Sequence, residues 1–178
     1  MLKWYEETGE NEDVVISSRV RLARNLSKYP FPIRLSKEQA KNLLDEFKAK
    51  LATLAGEGDR NYKYLSMDAI SDTDKVALVE RHLLSEALVM KTEPAGAMLS
   101  EDEVVSILFN EEDHVRIQAL AGGMNLEKAW QVADQLDNEI NQSFSYAYHE
   151  KLGYLTSFPT NVGTGLRVSY MLHLPAIA

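Results

Sequence analysis

The 178-residue chain contains no cysteine, which excludes disulfides, thiolate metal sites and a cysteine nucleophile. Proline is scarce at 5 residues, and the 9 glycines punctuate rather than cluster. No linker or low-complexity tract divides the chain, so it reads as one compact domain spanning 1–178. It has no apolar run of the roughly 18 residues a membrane helix needs. The start MLKWYEETGENEDVV lacks the basic beginning and apolar stretch of a signal peptide. Basic residues are outnumbered 19 to 27, giving a net charge of −8. Nucleic-acid surfaces are usually net basic, so this balance argues against broad nucleic-acid binding while leaving room for a local basic pocket. A cytoplasmic protein with no membrane association fits these absences. What is present, 45% hydrophobic and 26% charged residues, is ordinary for a globular chain able to bury a core.

Periodicity predicts alternating strands and helices. VVIS (14–17) reads as a short strand, followed by SRVRLARNL and a proline-broken segment. Ser36 with Gln39 forms a capping-box pattern, and Leu43, Leu44, Phe47, Leu51 and Leu54 recur at helical spacing until Gly56 and Gly58. YKYLSM predicts a strand. A second helix opens near Ser71 or Asp72 with Val76, Leu78, Val79, Leu83 and Leu84 inward. AMLS and VVSILFN flank the acidic turn Glu101–Asp102 as a hairpin, and HVRIQALA pairs beside it until Gly122 and Gly123. Asn125 caps a third helix over about 126–144, with Leu126, Ala129, Val132, Ala133, Leu136 and Ile140 inward. LRVSYMLHL closes the chain as a strand. The expected class is α+β, a largely antiparallel sheet flanked by helices.

Arginines interrupt this pattern. Arg19 and Arg21 lie two apart after an apolar strand, and if the strand continues both project from one face. Arg116 and Arg167 stand in otherwise apolar strands. Cations gathered on a sheet face repel unless an anion lies between them. A phosphate chain suits them, because guanidinium forks bind its oxygens bidentately and stay charged. The plain alternative is four surface arginines, some paired with the 27 acidic residues.

NEEDHVR (110–116) sets three carboxylates at the end of an apolar strand. Such a run is usually a solvated turn; beside Arg116 it can also hold a cationic substrate or magnesium-bound water. PTNVGTG is glycine-rich but matches neither the Walker A pattern nor a dinucleotide fingerprint. His82 has no second histidine at metal-ligand spacing, so no protein-held metal is expected. Lys41, Lys48 and Lys50 read as a solvated helix face, and Trp4 and Trp130 as packing residues.

In order and spacing, SSRVRLARNL (17–26), NEEDHVRI (110–117), EKLGYLTS (150–157) and PTNVGTGLRVS (159–169) resemble the phosphagen (guanidino) kinase family. The nearest likeness is to its bacterial protein-arginine kinase branch. The resemblance implies an antiparallel sheet with nucleotide lying across it. It implies Mg-ATP, with Mg²⁺ held mainly through the phosphates, and transfer of the γ-phosphoryl group to a guanidino nitrogen. It puts Ser17, Ser18, Arg19, Val20 and Arg21 at the phosphates, with Arg116 and Arg167 completing the clamp. Val168, Ser169, Tyr170 and Met171 line the nucleotide, and His82 lies against the adenine. Glu112 is the implied catalytic residue, orienting the guanidinium and accepting its proton, with Glu111 near the magnesium shell. Implied partners are arginine-bearing proteins, a zinc-binding activator, a stress-gene repressor and the Clp protease system.

Three departures stand out. The family's usual cysteine before PTN is Phe158 here. Classical arginine and creatine kinases carry an all-helical domain before the first motif, whereas this sequence starts almost at it, which suits a large protein substrate. It also ends at Ala178, before the family's further strands, another phosphate-binding arginine and a loop with a second substrate carboxylate. The expectation is therefore the N-terminal part of a catalytic domain, inactive alone, whose last strand is covered by a partner chain or by rearranged local elements; a homo-oligomer is compatible with this. The competing readings are a non-catalytic module that binds nucleotide or phosphoarginine, and a free-arginine kinase.

Overall fold

A computed structural model describes residues 2–51 and 60–175. Its elements are β1 (Val15–Arg24), α1 (Lys37–Lys50), β2 (Tyr62–Ser66), α2 (Asp72–Glu80), α3 (Glu86–Val89), β3 (Gly96–Ser100), β4 (Val105–Phe109), β5 (Val115–Gly122), α4 (Leu126–Ser143), β6 (Tyr148–His149), β7 (Gly153–Tyr154) and β8 (Leu166–Leu172). Six strands form one antiparallel sheet in the order β2-β3-β4-β5-β1-β8, and β6 and β7 pair separately. The α+β class with a helix-flanked antiparallel sheet is what the structure shows.

Alternation decides which residues serve which layer. Side chains of successive strand residues point to opposite faces, and directly paired residues share a face. One face carries Val20, Leu22, Met98, Ile107 and Ile117, packed against α1 and α4 in the main core. Phe47 of α1 stacks on Phe109 of β4 with ring centroids 4.5 Å apart. Burial of such side chains stabilises by about 1.5–3 kcal/mol each. On the other face, Ala97, Leu99 and Leu108 meet Leu83, Leu84 and Leu88 in a second core beneath α2 and α3. That helical cover lies over β2–β4. The rest of this face, on β5, β1 and β8, carries the arginines.

Several elements differ from expectation. The strand expected over 14–17 runs ten residues, to Arg24, because every second residue from Ser18 is buried against α4 and its neighbours. The capping box at Ser36 and Gln39 forms as expected, while Leu54, Gly56 and Gly58 lie outside the described residues. α2 opens after Ser71 but stops at Glu80. Val76 is exposed, and Leu83 and Leu84 reach the core from a turn rather than from the helix. His82 sits in that turn, with φ +60°. Gly122 lies within β5, and the chain leaves the strand at Gly123, with φ +62°. The β6–β7 hairpin within 148–154 was not foreseen. Among the described residues, no helix is long and apolar enough to cross a membrane.

Candidate functional site

Register brings the predicted arginines together. Arg21 of β1 lies directly across from Arg167 of β8 on one side and from Gln118 of β5 on the other. Arg19 is opposite Ser169, to whose hydroxyl its Nε donates at 3.2 Å. Arg116 is opposite Ala23. All four arginines therefore share the face left open by α2 and α3. Arg19, Arg21 and Arg116 are half-buried and Arg167 is exposed.

The electrostatics of this face are those of a cation cluster. Burial, and then the neighbouring guanidiniums, hold Arg19 below its ordinary range and lower Arg21 to about 10. The Nε of Arg21 is buried and has no hydrogen-bond acceptor. An anion relieves both effects at once, since it supplies an acceptor and offsets the repulsion.

Arg116 connects this cluster to the carboxylates. Its Nη1 lies 2.7 Å from Glu111 Oε2, and its Nη2 donates to Glu112 Oε2 at 2.7 Å. Glu111 is buried, which pushes its carboxyl up, while Arg116 and the Ser85 hydroxyl pull it back. Glu112 is partly exposed. Their loop is held from every side. Lys91 Nζ donates to the carbonyls of Asn110 and Glu111, both at 2.6 Å. Ser157 donates its hydroxyl to Glu112 O at 2.6 Å and its N–H to Asp113 at 2.7 Å. Asn25 also donates to Asp113, at 2.6 Å. Fully buried His114 accepts from Leu26 N–H at Nδ1 and reaches Pro30 O through Nε2. Burial lowers its pKa to about 4.

Arg21, Glu112, Arg116, Asn161, Gly165 and Arg167 line a small cleft where the two charge types meet. Asn161 and Gly165 come from PTNVGTG. Gly165 has φ +63°, and a Cβ there would lie 2.5 Å from Ala23 O and from Arg24 Nη1, so only glycine lets this loop lie against β1. A larger hollow of about 730 Å³ between β2, β3 and α2 shows no such convergence. Its Lys3 and Arg81 are both paired with Glu103.

The other predicted residues divide between the two faces. Ser17 and Met171, paired across β1 and β8, share the arginine face with Ser169. Ser18 and Val20 face the helical core. Ser18 donates to Gly123 O and accepts from Asn125 N–H, each at 2.7 Å, and so anchors the start of α4. Val168 and Tyr170 lie on that same helix side of β8, where both are exposed. His82 is at the rim of the arginine face, its carbonyl accepting from Gln118 Nε2 at 2.6 Å. Gln118, Ser85, Lys91, Asn161 and Ser157 were not among the expected residues. Parity along β5 gives one signal for Gln118, which alternates with buried Ile117 and Ala119 as Arg116 does.

Comparison with known proteins places the chain in a family. The family described as "ATP:guanido phosphotransferase, C-terminal catalytic domain" matches residues 42–178. The chain belongs to this family. A protein-arginine kinase of Desulforamulus reducens is 47% identical over 98% of this chain and 49% of its own length. One from Symbiobacterium thermophilum is 46% identical over 98% of this chain and 50% of its own. The chain thus spans about half the length of the curated relatives it matches. Among solved structures, the duplicated taurocyamine kinase of Schistosoma mansoni superposes with a TM-score of 0.80 at 25% identity, over 95% of this chain and 26% of its own. A lombricine kinase shares the fold at a TM-score of 0.81 and 21% identity, over 99% of this chain and 51% of its own.

Proposed function

We propose that the arginine face binds the polyphosphate of Mg-ATP, and that the whole protein transfers its γ-phosphoryl group to arginine side chains of proteins. The observation that carries this reading is the single sheet face on which Arg19, Arg21, Arg116 and Arg167 converge beside Glu112. Likeness to protein-arginine kinases across 98% of the chain supports the choice of acceptor.

The residues present suit the nucleotide. The orphaned Arg21 Nε and the mutually repelling guanidiniums call for an anion of several charges. Among the described residues, no cluster of three or more His, Asp or Glu side chains is placed to hold a metal. In this reading Mg²⁺ would be held mainly through the nucleotide phosphates, and Glu111 is the carboxylate that would lie nearest to it. The chemistry such a cation would supply is charge neutralisation of the phosphates.

Phosphoryl transfer asks the protein mainly for positioning and charge stabilisation. Arg19, Arg21 and Arg167 fix the phosphate chain, and Arg116 sits where it meets the acceptor. Glu112 pairs with the incoming guanidinium and aims one nitrogen at the γ-phosphorus. As the nitrogen–phosphorus bond forms, the bond from the γ-phosphorus to the bridging oxygen breaks. The nitrogen's proton passes to the Glu112 carboxylate, and ADP leaves with the bridging oxygen.

Calorimetry with Mg-ADP tests the nucleotide half. Arg116→Ala should weaken binding by about tenfold or more, the scale of a lost charged hydrogen bond. Transfer is tested in a protein of the relatives' full length, as acid-labile phosphate on a basic protein substrate. Glu112→Gln should abolish it while ADP still binds. Labelling of serine, or full activity in Glu112→Gln, overturns the assignment.

A further inference from the structure

We propose that Gln118 is a positioning residue of the nucleotide site, holding the His82 turn at the height the base requires. The proposal rests on the nucleotide reading above and assigns a role within it to a side chain that no sequence motif singled out.

Gln118 is an amide on the cationic face, directly between Arg21 on β1 and Ser106 on β4. It is only 7% exposed, so its amide needs partners inside the protein. Nε2 finds two, His82 O at 2.6 Å and Ser106 Oγ at 3.1 Å. The second bond fixes the amide to the sheet, and the first carries that fixed point across to the turn after α2.

That turn needs support. His82 has φ +60°, in the left-handed region that residues with a Cβ seldom adopt. Leu83 and Leu84 follow at once and are buried in the second core. Next, Ser85 donates to Glu111. Four successive residues are thus tied to three places: the sheet through Gln118, the second core through the leucines, and the carboxylate loop through Ser85. Of the two side-chain ties, Gln118's is the one on His82 itself, whose N–H also reaches back to Val79 O at 2.9 Å. His82 is half-exposed at the rim of the arginine face. Moving its backbone moves the imidazole relative to anything lying across that face. The phosphate end, held by Arg19, Arg21 and Arg167, does not depend on this turn.

The experiment compares two probes on this chain by calorimetry, Mg-ADP and inorganic tripolyphosphate. Gln118→Leu keeps the side-chain bulk and removes the donor. It should weaken ADP by about five- to tenfold, the worth of one buried hydrogen bond, and leave tripolyphosphate within twofold (~2). In a His82→Ala background, Gln118→Leu should then add nothing to the loss of ADP affinity, the non-additivity expected of residues acting as one unit. Gln118→Glu, which keeps length but loses the donor, should also weaken ADP, and gives a second reading if the leucine variant fails to fold. Equal ADP affinity in wild type and Gln118→Leu overturns the proposal. So does parallel loss of both probes, which marks a general role in the sheet. Wild-type binding of tripolyphosphate without ADP removes the base-end role alone. Binding of neither probe removes the nucleotide reading itself, and this proposal with it.

Discussion

Removing the Arg24 guanidinium strands Asp137 in the protein interior. The pair is buried and bidentate, with Arg24 Nη2 2.7 Å from Asp137 Oδ2 and Nε within reach of both oxygens. Nη1 adds the carbonyls of Ala23 and Thr164, and the Tyr154 ring lies 3.7 Å from the guanidinium carbon. Arg24→Ala should therefore cost about 3–5 kcal/mol, read as a lowered urea midpoint. Arg21 lies three residues away with no such partner. Arg21→Gln removes repulsion among Arg19, Arg116 and Arg167, so ligand-free stability should hold or rise while polyphosphate binding falls. A large loss of stability in Arg21→Gln would show that the cluster is structural. His114 supplies the pH dependence. Its folded pKa, about 4, lies below the ordinary 6.5, because burial disfavours the charged ring. The unfolded chain then binds the extra proton first, so stability declines as pH falls from about 6.5 towards 4. The full decline for this one group is roughly 2–4 kcal/mol. Urea unfolding at stepped pH measures it, and a flat profile over that window would contradict a neutral buried His114.

Local rules explain α1 and α4 well. Ser36 and Gln39 close a capping box, Asn125 caps α4, and their apolar positions at helical spacing are the ones that face the core. The polarity of Asp137 hid that it too faces inward, because its partner Arg24 is distant in sequence. Arg24 was legible in hindsight, since it shares parity with Val20 and Leu22 whereas Arg19 and Arg21 do not. α2 was misread because apolar residues continue past its end; the left-handed His82 breaks the period without a glycine to announce it. The site was legible as residue types at sheet positions. Its supports, Ser85, Lys91 and Gln118, were not, because each acts across 19 or more residues. At the element scale β8 also makes a prediction. It is an edge strand whose Leu166, Val168, Tyr170 and Leu172 are all more than a third exposed. Contiguous apolar surface on an open edge favours association. Light scattering should show mass rising with concentration, and Leu172→Lys should reduce it. A monomer at all concentrations would show this edge to be inert.

Over the whole molecule, a net charge of −8 surrounds a face that is locally cationic. On the proposed reading polyanions would be repelled by most of the surface and held at one place, so their binding should be specific but salt-sensitive. Tripolyphosphate should raise the melting temperature, since a ligand at 100 times its Kd adds about 2.7 kcal/mol. The gain should shrink in high salt and vanish in Arg19→Ala/Arg21→Ala. The sheet that produces this face is also the floor of the main core, and β1 belongs to both at once. Exhaustive substitution along β1 should therefore give a sawtooth. Changes at 18, 20, 22 and 24 would deplete the protein from the cell, while changes at 19 and 21 would leave its abundance intact and silence it. Selection on this strand thus reads two independent messages written in alternate letters.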